Sequence, residues 1–115
     1  MAGRDAAAAA SDVVASAART TSGTSGALSG YSTAESIRAQ LGVTAAAGAA
    51  PTLDVVIEDT LDGTNWNVIG TFAQKTAVGR EVINITSPFT DQIRVRHTIG
   101  GTTPSFTFSV SIYAQ

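Results

Sequence analysis

The chain has 115 residues, a formal net charge of −2 and only 14% charged residues, against about 25% in ordinary soluble domains. That balance excludes the basic stripe a nucleic-acid partner requires, and the absence of cysteine excludes disulfides and thiolate metal sites. One domain of this length buries roughly two-thirds of its unfolded surface, and no apolar stretch approaches the ~20 residues that span a bilayer.

Residues 1–11 read as a flexible N-terminal arm, and residues 12–115 as one domain. The Ala run at positions 6–10 follows one Arg and one Asp and lacks a Leu-rich centre, so it is not expected to act as an export signal. Asp12–Arg19 is a first strand. The Gly/Ser/Thr-rich residues 20–33 form a loop. Ile37, Ala39, Leu41 and Val43 then alternate with polar residues, as strand side chains on opposite faces must. Ala45 to Pro51 is expected to turn the chain. Leu53, Val55 and Ile57 follow as an inward set, with Asp54, Val56 and Glu58 outward.

Asp62-Gly63 is a hairpin signal, and it leads into a strand with Trp66, Val68 and Phe72 on one face. Glu81–Thr86 is a short strand, and Ser87 to Asp91 a corner. Ile93, Val95 and His97 point inward and Arg94 and Arg96 outward. Gly100 to Pro104 turns the chain once more. In the final strand Phe106, Phe108, Val110 and Ile112 face the core and Thr107, Ser109 and Ser111 do not. Six or seven strands with no helical period predict an all-β antiparallel sandwich, with a small closed barrel as the alternative.

Residues able to do chemistry are scarce. Asp54, Glu58, Asp59 and Asp62 are the best acidic group, yet Asp59-Thr-Leu-Asp62-Gly63 lacks the spacing of a calcium loop, and Asp62 reads as the cap of its turn. Thr60 to Trp66 resembles the Asp-box hairpin of some sugar-processing proteins, one residue short between Asp and Gly. Trp66 could serve as a sugar-stacking platform, but its alternation with Val68 and Phe72 assigns it to the core. His97 has no second histidine or cysteine with which to share a metal, and no nucleophile elbow accompanies it. No catalytic, cofactor or metal residue is therefore expected. Arg94 and Arg96 from one strand and Asp54 and Glu58 from another form either cross-strand ion pairs or a charged strip for docking a partner.

From Asp12 onward the chain resembles a family of small proteins encoded in the structural-gene clusters of tailed bacteriophages and prophages. Carrying the resemblance are Leu41-Gly-Val-Thr44, Pro51-Thr-Leu-Asp-Val-Val-Ile-Glu-Asp59, Asp62-Gly-Thr-Asn-Trp66, Ile69-Gly-Thr-Phe72, Ala77-Val-Gly79, Ile93-Arg-Val-Arg96 and Gly100-Gly-Thr-Thr-Pro-Ser-Phe-Thr-Phe-Ser-Val110. His97 departs from the pattern, so the resemblance assigns it no role. What the resemblance implies is a non-catalytic β-sandwich of the virion, a capsid decoration or minor capsid protein held in many copies on the major capsid shell after synthesis in the host cytoplasm. The implied partners are the major capsid protein or other virion subunits, with assembly as a small homo-oligomer and no nucleic acid or membrane. A head–tail connector or tail component is the alternative within the virion. A carbohydrate-binding module for host attachment, using Trp66, Tyr31 or Tyr113, is the rival from another class.

Overall fold

A computed structural model describes residues 11–115, with side chains from Val13 onward; the arm assigned to residues 1–11 falls outside the described residues except for Ser11. Alternation of apolar and polar side chains produces six strands: β1 (Ser11–Arg19), β2 (Gly23–Thr24), β3 (Ile37–Thr60), β4 (Trp66–Thr71), β5 (Gly79–Ile85) and β6 (Gln92–Ala114). All pair antiparallel, and the described residues include no helix.

β3 and β6 are far longer than ordinary strands, at 24 and 23 residues. They pair with each other from Thr60↔Gln92 at one end to Ile37↔Ala114 at the other. The turns expected at Ala45–Pro51 and Gly100–Pro104 are not turns. Pairing continues through both, with register shifts around Ala45, Ala49 and Thr52, and the whole ribbon bends there. The reason is local and doubled. Gly48-Ala-Ala50-Pro51 on β3 and Gly101-Thr-Thr103-Pro104 on β6 each carry positive φ at the first and third positions: 112° and 50° in one, 113° and 46° in the other. Two such bulged segments facing each other bend the ribbon without breaking its ladder.

The bend folds the ribbon onto itself. His97 and Phe108 lie on the same strand, where straight backbone would hold them roughly 36 Å apart. Their rings meet edge to face with centroids 5.2 Å apart. One layer consists of β1, the second half of β6, the first half of β3 and β5. The other consists of β2, the first half of β6, the second half of β3 and β4. Formally this is one six-stranded sheet, open at its edges, doubled into a sandwich; the closed barrel does not form.

Between the layers sit the inward sets the alternation predicts: Ile37, Ala39, Leu41 and Val43; Leu53, Val55 and Ile57; Ile93 and Val95; Phe106, Phe108, Val110 and Ile112, all buried. Each large member contributes about 1.5–3 kcal/mol through burial. Thr107, Ser109 and Ser111 take the opposite parity and are half-buried.

Residues 20–33 run along the free edge of β6. Gly23 and Thr24 pair with His97 and Arg96, and Leu28 bridges to Ile93. Serine hydroxyls stand in for missing backbone acceptors: Ile99 N donates to Ser22 Oγ at 2.9 Å and Val95 N to Ser25 Oγ at 3.0 Å. The Ser/Gly composition suits that task, because a short hydroxyl reaches an edge N–H where a regular strand does not follow.

Candidate functional site

The hairpin joining β3 to β4 is built by Asp62. Its carboxylate accepts the N–H groups of Thr64 at 2.8 Å and Asn65 at 2.7 Å, and the Asn65 side-chain amide at 2.8 Å. The N–H of Gly63, at φ 81°, donates to Thr60 Oγ1 at 2.8 Å. The Asn65 and Thr64 N–H groups hold the Asp62 carboxyl far below its ordinary range. With its oxygens spent on the turn, Asp62 is a cap, as the sequence suggests. Asp59 turns inward and accepts from Thr90 N at 3.1 Å, 5% exposed. Among the described residues no group of His, Cys, Asp and Glu could hold a metal ion.

β4 departs from the simple alternation. Trp66 pairs with Thr60 and Val68 with Glu58, but Gly70 pairs with Ile57, so Ile69 is an extra residue in the ladder. An extra residue reverses the parity of all that follows. Phe72 therefore enters the core at 2% exposure, while Trp66 and Val68 face outward with Thr60 and Glu58. The core assignment of Trp66 and Val68 is corrected accordingly. Trp66 is half-buried on the outer surface, and Val68 is 51% exposed.

Four side chains meet on that surface. Glu58 pairs across the ladder with Arg94, and its two oxygens are divided between two arginines: Arg94 Nε donates to Oε1 at 2.8 Å and Arg96 Nε to Oε2 at 3.1 Å. The Arg94 guanidinium also lies over the Trp66 ring, 4.3 Å from its centroid. Such a stack contributes about 0.5–1 kcal/mol at an exposed site. Glu58 is left only 6% exposed at its side chain, Arg94 24% and Arg96 40%. One carboxylate against two guanidinium groups leaves the cluster with a net positive charge, carried outward by Arg96. Asp54 lies further along the same face, beside Thr98, and accepts both bonds from the Gln74 amide at 3.2 and 3.1 Å. Of the strip read from the sequence, Arg94, Arg96 and Glu58 come together with Trp66, and Asp54 stands apart.

The remaining candidates are engaged elsewhere. Tyr31 is 7% exposed and offers no ring surface to a ligand; burial raises its pKa. His97 is 8% exposed, and its Nε2 bonds to the Thr21 carbonyl at 2.9 Å. Burial holds its pKa below the ordinary 6.5, helped by the Arg19 charge and opposed by the bond to Thr21. Tyr113 is 39% exposed, on the other layer from Trp66. Among the described residues no helix is long and apolar enough to cross a membrane. Val68 is the surface residue that sequence pattern misses, because nothing in its alternation reveals the bulge at Ile69.

No protein-family model and no curated protein matches the chain. Solved structures do. The chain is similar to the PBSX exported protein XepA, at TM-score 0.66 and 12% identity over 92% of this chain and 36% of that one. It is similar to the CBM22-1 xylan-binding domain of Paenibacillus barcinonensis, at TM-score 0.53 and 12% identity over 76% of this chain and 62% of the domain. It also matches part of tripeptidyl peptidase 2, at TM-score 0.53 and 7% identity over 86% of this chain and 9% of that one. The chain thus spans well under two-thirds of the first and third of these proteins, and slightly under two-thirds of the second. At such identities the likeness is one of fold. Three differently named proteins sharing it show that the fold alone does not choose a task.

Proposed function

We propose that the protein is a non-catalytic structural component of a bacteriophage virion, a decoration or minor capsid protein that docks in many copies on the capsid shell. The observation that carries this reading is the outer-face cluster of Trp66, Val68, Glu58, Arg94 and Arg96. It combines an exposed aliphatic side chain, a rigidly stacked aromatic and a cation held in place by a buried carboxylate. Such a surface is pre-organised, so a partner loses little side-chain entropy in binding it. Its partner would present a carboxylate to Arg96 beside an apolar contact for Val68. Asp54 extends the strip without joining the cluster. Support also comes from the resemblance to phage structural proteins, carried in part by Ile93-Arg-Val-Arg96 and Asp62-Gly-Thr-Asn-Trp66. In this reading residues 1–11 serve as an assembly arm, neighbouring subunits form a small homo-oligomer, and the protein resides in the virion.

The test is quantitative mass spectrometry of purified particles, paired with rebinding of purified protein to particles lacking it. High, symmetric copy number is expected, with rebinding weakened by Arg96→Glu and Val68→Glu. A handful of copies would move the protein to the head–tail connector or tail, and absence from particles would end the proposal.

A further inference from the structure

The outer surface of the β5–β3–β6 layer differs in kind from the Trp66 face. Register places Asn84, Arg38 and Tyr113 in one row across it, and Val82, Gln40 and Ser111 in the next. A cavity of about 290 Å³ opens along these rows. Tyr113 is 39% exposed and Val82 38%, so the trough has an accessible ring at one end and an aliphatic wall. Arg38 Nη1 donates to Asn84 Oδ1 at 3.0 Å, which fixes the guanidinium plane against the rim. Further along β3, Gly42 keeps the floor low. A Cβ there would meet only Ser109 Oγ, at 3.8 Å, so the dip is free space and not a packing requirement.

These groups define the ligand's chemistry. A phenol ring partly open to solvent offers a flat apolar platform, and around it stand the Gln40 amide, the Arg38 guanidinium and the Ser111 hydroxyl, which can donate to or accept from a ligand. A molecule with one apolar face and a rim of hydroxyls matches that arrangement, which describes a pyranose ring. Arg38 keeps its charge, because its partner Asn84 is neutral and no carboxylate lines the cavity, so the lining suits a neutral sugar or one that bears a carboxylate. We infer that this trough binds a polysaccharide chain, with Tyr113 as stacking platform and Gln40 and Arg38 as hydrogen-bonding rim. It lies on the layer opposite the Trp66–Arg94 cluster and does not rest on the shell-docking reading. A subunit seated by one layer would present the other outward.

Affinity electrophoresis of the full chain through gels containing barley β-glucan, arabinoxylan, galactomannan or polygalacturonate tests this. Retardation by at least one of these polymers is expected. Tyr113→Ala should weaken it about tenfold, the loss of one aromatic stack. Gln40→Ala should weaken it as well, while Tyr113→Phe and Trp66→Ala retain it. Unchanged thermal unfolding of Tyr113→Ala would certify its fold. Migration unaffected by all four polymers, or retardation that survives Tyr113→Ala, would each overturn the inference. None of these outcomes bears on rebinding to particles, which reads Arg96 and Val68.

Discussion

Gly48 packs against Thr103 where the two long strands bend together, and a Cβ on Gly48 would stand 2.7 Å from the Thr103 carbonyl oxygen. The relation is reciprocal. A Cβ on Gly101 would stand 2.7 Å from the Ala50 carbonyl oxygen. Both glycines also hold positive φ, near 112°, where other residues are strained. Gly48→Ala and Gly101→Ala are each expected to lower stability by about 2 kcal/mol, from strain and displacement of backbone together. Ala50→Gly, at φ 50°, relieves strain but loosens the unfolded chain, so it should stay within about 1 kcal/mol of the parent. Urea midpoints measure all three. A Gly48→Ala variant with the parent's midpoint would show that the bend does not depend on this contact.

His97, the single histidine, makes stability depend on pH above the carboxylate range. Burial lowers its folded pKa below the unfolded 6.5, so as pH falls the unfolded chain takes up the proton first. The contribution of the neutral, buried ring is therefore complete above about pH 7.5 and is lost as pH falls through 6.5 toward the folded pKa. Asp62 and Asp91, both lowered from 3.8 by backbone N–H groups, act only in more acid solution. The urea midpoint should drop between pH 8 and pH 5 in the parent and stay level in His97→Gln. A parallel drop in both would assign the titration elsewhere.

How much of this was legible in the sequence follows from what alternation encodes. Parity within a strand is a local property, so the inward sets from Ile37 to Ile112 are correct wherever the backbone is regular. The number of strands is not local. Gly48-Ala-Ala-Pro51 and Gly101-Thr-Thr-Pro104 carry the composition of turns, and only their pairing with each other makes them a continuous bent ribbon. The bulge at Ile69 is likewise invisible in the alternation of Trp66, Val68 and Phe72, because it arises from two-against-one pairing with β3. The charged strip is foreshadowed by charges on neighbouring strands. The observed cluster, with Trp66 in and Asp54 aside, depends on that bulge and on Gln74, which lies beyond β4.

The parity switch at Ile69 has a measurable consequence for the two aromatics on either side of it, Trp66 in β4 and Phe72 just after it. Phe72→Ala should cost about 3–5 kcal/mol, as buried aromatic truncations do. Trp66→Ala removes a half-exposed ring and its stack on Arg94, and should cost about 1 kcal/mol. Glu58→Ala leaves Arg94 and Arg96 without their shared partner and should cost more than Trp66→Ala, about 2 kcal/mol. Chemical denaturation ranks the three; equal losses for Trp66 and Phe72 would place both in the core and contradict the bulge.

Under the proposed virion role, removal of residues 1–10 is expected to separate folding from assembly. Pairing between β1 and β6 begins at Ser11↔Ile112, and Val14 is the first core residue among those described. The deleted segment, Met-Ala-Gly-Arg-Asp and five alanines, has only Met1 larger than Ala among its apolar residues, so it cannot bury a core of its own. Ordering backbone costs about 1–2 kcal/mol per residue, and a segment this poor in apolar surface recovers that cost only by lying on something else. If that surface belongs to the shell or a neighbouring subunit, the truncated chain should keep the parent's unfolding midpoint and lose affinity for particles. A truncated chain that unfolds readily yet binds particles as the parent does would assign residues 1–10 to the sandwich itself and remove the arm from the docking mechanism.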